Sequence, residues 1–153
     1  MERHVSFSLS DLALALLVFA LCVAWPRLAV GAEPKLVLVA AAKSLIAPIS
    51  TAEARRLYLG VPLVQDSHEV VPLRNAADHV TQELFLQRVL FMSAQAYERQ
   101  MAGRVYRSGG NRIPEYTDQR QLLDKLAADP WAVTYMSLEA ASGQPGLKIV
   151  SMP

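Results

Sequence analysis

Leu36–Ala42 (LVLVAAA) decides the fold. The run is short, continuously apolar and β-rich at its start, so neither side of it can face water. It reads as a strand buried on both faces, as in a parallel or mixed sheet. Lys43–Pro48 follows as a loop. Ser50 then opens a helix, because its hydroxyl can cap and Glu53 stands three residues on, the spacing of a capping box. Ala54, Leu57 and Tyr58 fall at i, i+3, i+4 and form the inner face, and Gly60 ends the helix.

Further along, Glu69–Leu73 (EVVPL) reads as a second strand, placed at or near an edge because Pro72 has no N–H. Residues 79–92 form a helix with Phe85, Leu86, Val89 and Leu90 facing inward, and Ser93 caps another from Ala94 to Val105. Ser108–Pro114 (SGGNRIP) is a loop. Thr117 or Asp118 starts a helix carrying Leu122, Leu123 and Leu126, which Asp129-Pro130 stops. Trp131–Met136 and Leu147–Ser151 are strands, with room for a short helix between them. The order β-α-β-α-α-α-β-(α)-β implies an α/β sheet with helical crossovers.

Outward from this core, Leu12–Ala24 holds thirteen uncharged residues. That suits the apolar part of a secretory signal and is short for a spanning helix, which needs about 20 residues. Val30-Gly31-Ala32 supplies small residues for cleavage before Glu33. Residues 1–32 are therefore expected to be a signal peptide and residues 33–153 one domain acting in the periplasm, with an uncleaved anchor as the alternative. Cys22, the one cysteine, lies inside the signal, so the mature domain has no thiol for a disulfide, a metal or catalysis. The net charge is +1. Glu2, Arg3, Asp11 and Arg27 leave together with the signal, so the mature charge is unchanged, and neither nucleic acid nor an anionic membrane is expected as a partner.

His68 and His79 belong to no metal-binding doublet, and no nucleophile elbow or phosphate-binding Walker loop is present. No nucleophile–base pair can be placed, so an enzyme is not expected, and neither metal nor cofactor is required. The strongest charge feature is basic: Arg99, Arg104, Arg107 and Arg112 occur without an acid among them, and the segment ends in a glycine loop. Amides and guanidinium forks of this kind match oxyanions; a solvated helix face beside a turn is the plain alternative. Leu73–Thr81 (LRNAADHVT) is a second candidate, since it leads from a strand into a helix N-terminus. Arg74 could supply charge and Asn75 and Thr81 polar contacts, whereas Asp78 would repel an anion and is equally well explained as an N-cap.

Several stretches, in order over about residues 35–150, resemble the substrate-binding proteins of phosphate ABC transporters and their short relatives. Ser50–Gly60 resembles their S-x-x-E-L-x-x-I-F-L-G helix, and Val70–Arg74 their I-x-x-V-x-R strand. The helix 79–92 with Ser93 and Tyr97 is similar to F-x-x-x-V-L-x-x-S-x-x-x-Y, and Pro130–Met136 to P-G-A-I-G-Y-V. Ser108-Gly109-Gly110 occupies the place of their glycine loop. The resemblance implies a single lobe of a type 2 periplasmic-binding-protein-like fold, with a mixed sheet of about four to five strands flanked by helices; two lobes need roughly twice the mature length. It also implies phosphate or another oxyanion as ligand, held by Arg74, Asn75, Thr81, Ser108, Gly109 and Gly110, and service to a transporter permease, a sensor or a second subunit. At Asn75–Asp78 the chain reads NAAD where the family carries a Gly-Ser-Gly-Thr string. A non-enzymatic interaction module that has lost its ligand and docks through Arg99–Arg112 is therefore the alternative.

Overall fold

A computed structural model describes residues 34–109 and 111–153. The expected signal at 1–32, with Cys22, and the site residue Gly110 lie outside the described residues. The elements are β1 (Leu36–Ala41), α1 (Thr51–Tyr58), β2 (Val64–Gln65), β3 (His68–Glu69), β4 (Val71–Pro72), β5 (Arg74–Asn75) and α2 (His79–Phe85), which runs into a π-helical turn at Leu86–Leu90. After them come α3 (Ala94–Ser108), β6 (Glu115–Tyr116), α4 (Gln119–Ala128), β7 (Ala132–Ser137), α5 (Leu138–Ser142) and β8 (Leu147–Ser151).

The main sheet is mixed and four-stranded, ordered β4-β7-β1-β8. β1 runs antiparallel to both its neighbours, in register Leu36↔Ser137 to Val39↔Thr134 with β7 and Ala40↔Lys148 with β8. β4 adds to β7 in parallel, and the parallel step is made by the long crossover that carries α2, α3 and α4. Every residue of β1 is buried, as an apolar run without alternation requires. Leu36, Leu38 and Ala40 pack into the main core with Tyr58, Phe85, Val89, Tyr97 and Tyr135. Val37 and Val39 face the opposite side, against Met136 and Ala141. Leu122 and Leu126 of α4 close that second face over Leu73 and Ala132.

Local chemistry sets the helix starts. Ser50 and Glu53 form the reciprocal capping box, Asp78 caps α2 and Ser93 caps α3. The segment 79–92 is less regular than its apolar spacing suggests. It leaves α geometry after Phe85 and ends at Phe91, a non-glycine residue at φ +56°. The helix from Ala94 extends through a further turn to Ser108, where Gly109 ends it at φ +63°.

The predicted strand Glu69–Leu73 is divided between two partners, and the extended run continues past it to a third. Glu69 belongs to the β2–β3 hairpin, Val71–Pro72 to the main sheet, and Arg74–Asn75 to a parallel pair with β6. Backbone donors alternate in side along this run. Those of Val71 and Leu73 reach Trp131 and Val133 beside β7. Those of Val70, Arg74 and Ala76 point the other way, to Leu63, Pro114 and Tyr116. Pro72 falls on the outward side, where its missing N–H breaks no bond to β7. The hairpin turns at Asp66-Ser67, both with positive φ. No glycine or asparagine marks that turn, so its sequence signal was weak.

Three tyrosines tie the helices to the sheet. The Tyr58 hydroxyl, at the end of α1, donates to Leu73 O at 3.0 Å and lies 3.1 Å from Val133 O, touching both sheet neighbours at once. Tyr97 of α3 donates to Tyr58 O at 3.0 Å. Phe85 stacks on Tyr135 with centroids 4.0 Å apart. Tyr58→Phe keeps this volume and removes the shared donor, and is expected to cost about 1 kcal/mol in urea unfolding. An unchanged midpoint would remove the hydroxyl from the account. Burial also pushes the Tyr97 hydroxyl up to about 12 from its ordinary 10, against the opposing pull of Arg74. Between those values the unfolded chain has lost this proton and the folded chain still holds it, so stability falls as pH rises; below pH 10 both states keep the proton and nothing is lost. Tyr97→Phe should therefore flatten the alkaline decline by about one proton, read from unfolding midpoints across that range.

Candidate functional site

Arg74 leaves the sheet on β5, directly opposite Glu115 of β6. Its side chain is only 11% exposed and is enclosed by charge of the opposite sign. One guanidinium nitrogen lies 2.8 Å from Glu98 Oε1 and another 3.2 Å from Glu115 Oε2. The guanidinium also sits over the Tyr97 ring, 4.9 Å from its centroid. A buried cation needs such partners, because desolvation without them costs more than folding can recover. The forked geometry that fits a phosphate is thus engaged by two carboxylates of the same chain.

The next residues turn the chain into α2 and are likewise engaged. Asn75 is buried; its amide donates to Tyr135 O at 3.1 Å and its Oδ1 accepts from Ala77 N. At the helix start, Asp78 Oδ1 accepts from Thr81 N at 3.1 Å and its Oδ2 accepts from the Thr81 hydroxyl at 2.5 Å. Thr81 is buried, so its hydroxyl is turned toward this carboxylate. An anion at this helix end would meet Asp78 in the position that amides and hydroxyl offer to a ligand. Arg74, Asn75 and Thr81 therefore share one corner of the fold, with Asp78 at its mouth.

Ser108 and Gly109 stand elsewhere, at the far end of α3. The Ser108 hydroxyl donates back to Arg104 O at 2.7 Å, and the Gly109 N–H donates to Val105 O. Ten helical residues separate Ser108 from Glu98, about 15 Å along the axis. Of the six residues expected to hold one oxyanion, the five described ones are thus not gathered in one place.

The arginines of the basic segment are also dispersed. Arg99 and Arg107 are exposed on α3, and the Arg107 guanidinium lies against Gly103. Arg112 reaches the second oxygen of Glu98 at 3.5 Å. Arg104 is half-buried, with its guanidinium on Gly60, where an added Cβ would lie 1.8 Å from Nη1. A cleft of about 290 Å³ opens beside it, lined also by Arg112, Pro62, Pro72 and Pro114. Sequence reading missed Tyr97, Glu98 and Glu115 as members of the Arg74 cluster. Glu98 and Glu115 sit just outside the two ends of the acid-free basic segment, and that bracketing was the available signal.

Three solved structures share this architecture. An ABC-type phosphate transport receptor from Vibrio cholerae superposes with a TM-score of 0.54 at 8% identity, over 76% of this chain and 45% of that one. A protein from Planctomyces limnophilus, described as a possible phosphate binding protein, gives 0.51 at 14% identity, over 76% and 40%. PstS from Borrelia burgdorferi gives 0.50 at 14% identity, over 77% and 47%. The fold is that of one type 2 periplasmic-binding-protein lobe. The chain spans less than half the length of each of these receptors. No family model and no curated protein matches it. Among the described residues no helix is long and apolar enough to cross a membrane, and no group of three or more His, Cys, Asp or Glu could hold a metal ion.

If the carboxylates hold Arg74, its removal should weaken the fold itself. Arg74→Met is expected to cost about 2 kcal/mol, as for hydrogen bonds to charged groups. Adding Glu98→Gln to it should recover part of that loss, because one unpaired charge is removed with its partner. Losses that simply add in the double variant would show that the pair is not coupled.

Proposed function

We propose that this chain is an exported module of the phosphate-receptor type, and that it serves an envelope transporter or sensor by protein contact rather than by capturing phosphate at the Arg74 corner. The observation that carries this reading is the state of that corner. Arg74 is paired with Glu98 and Glu115, and the Thr81 N–H and hydroxyl in the first turn of α2 are taken by Asp78. Arg74 and Thr81 already have carboxylate partners supplied by the chain, and the Asn75 amide is taken by Tyr135 O. A phosphate would have to displace carboxylates that cost nothing to bring together, and it would arrive beside three negative charges. The short apolar segment at Leu12–Ala24 supports export, and the receptor-like fold supports a place beside a transport or sensing system.

A second reading, weak oxyanion binding at the same corner, is favoured by one observation. Arg74, Asn75 and the start of α2 remain contiguous at the end of a strand, as an anion site requires. Calorimetry separates the two. Phosphate titrated into the purified chain at millimolar concentration should give no binding heat. The variant Asp78→Ser with Glu115→Gln should begin to bind, by roughly tenfold or more over the parent at low salt. Phosphate binding by the parent chain that disappears in Arg74→Gln would overturn the docking reading in favour of capture. Recovery of the precursor in the cytosolic fraction would overturn export.

A further inference from the structure

We infer that the Arg104 cleft is a binding site for a single carboxylate carried on a small apolar body. The site adjoins the Arg74 corner, since Arg112 and Arg74 share Glu98, but it stands whether or not that corner binds phosphate. Arg104 is half-buried, and among the described residues no carboxylate pairs with it. Its guanidinium is seated on the bare backbone of Gly60, at φ +85°, where any side chain would collide with it. A guanidinium packed against backbone and lining a cleft can offer its planar fork to a carboxylate.

The second cation is available by default. Glu98 gives its closer contact, 2.8 Å, to Arg74 and leaves Arg112 at 3.5 Å, with the Arg112 side chain 61% exposed. Arg112 can therefore turn toward an incoming anion at little cost. The walls explain the apolar body. Pro62, Pro72 and Pro114 line the cleft and carry no N–H, so its side-chain donors are Arg104, Arg112 and the Asn111 amide. A volume of about 290 Å³ lies at the small end of ligand pockets and suits one side chain or a small acid. Glu69 on the same lining disfavours a second negative charge, so a monocarboxylate fits better than a phosphate dianion.

Two sources share this chemistry: a free small acid, and the chain end of a partner protein. N-acetyl-leucine, its uncharged amide and a short peptide ending in a free leucine carboxylate are titrated into the full chain by calorimetry at low salt. The acid is expected to bind and the amide to bind roughly tenfold more weakly. Arg104→Gln should weaken the acid by a similar factor and Arg104→Lys by less, while Arg99→Gln leaves it unchanged. Circular dichroism melts of each variant separate lost binding from lost fold. A peptide roughly tenfold tighter than the acid assigns the partner's chain end, and equal affinities assign a small acid. Equal binding of acid and amide, no binding of either acid or peptide, or indifference to Arg104→Gln in a folded protein overturns the proposal. Phosphate binding lost in Arg74→Gln but kept in Arg104→Gln would sink the docking reading above and leave this one intact.

Discussion

A strand with no polar face can exist only if other elements cover it on all sides, and β1 is such a strand. Its two faces demand helices above and below, and its two edges demand neighbours that satisfy the backbone. β7 and β8 meet the second demand from the far end of the sequence, while α1 and α2 on one side and α5 with the edge of α4 on the other meet the first. The middle of the chain is therefore a long excursion between two halves of one sheet. That excursion brings Tyr97, Glu98 and Glu115 to Arg74, so the charged corner is a by-product of closing the sheet as well as a candidate for chemistry.

The corner shows how little separates an anion site from a structural cluster. Both use a guanidinium, a helix start and a hydroxyl. The difference lies in where the negative charge comes from. Here Glu98, Glu115 and Asp78 are tethered, so their pairing carries no cost of association and needs no ligand. Two of the structures that share this fold are named for phosphate, yet fold does not carry function with it. Among the described residues Arg104 is half-buried with no such tethered partner, and its guanidinium lies against Gly60, just past the end of α1.

What the sequence made legible was local. Ser50 with Glu53, Asp78, and Ser93 announce their helices within four residues, and the run at 36–42 announces its double burial by composition alone. Pro72 placed its strand at an edge, and it stands there. What stayed hidden depends on residues far apart in the chain. Glu98 and Glu115 become partners of Arg74 only once the crossover through α2 and α3 folds back, and no short-range pattern predicts that. The four arginines looked like one patch because they are close in sequence. On a helix such positions point in different directions, and Arg112 beyond it comes back to Glu98. The hairpin at Asp66-Ser67 was missed because its turn has no glycine after the aspartate, the residue that completes the common two-residue turn signal.

The run from Val70 to Ala76 works as a counted ruler. Odd positions serve one neighbour and even positions another, and proline occupies the one even place where no bond is required. Such a segment can change many of its side chains and keep its place, but it cannot change its length. One residue removed before Pro72 would reverse the parity, turn the imino nitrogen toward Val133, and point the donors meant for β7 at the loops. Variation among descendants of this sequence should therefore appear there as exchanged letters and never as gaps, whereas the loops on either side are free to grow.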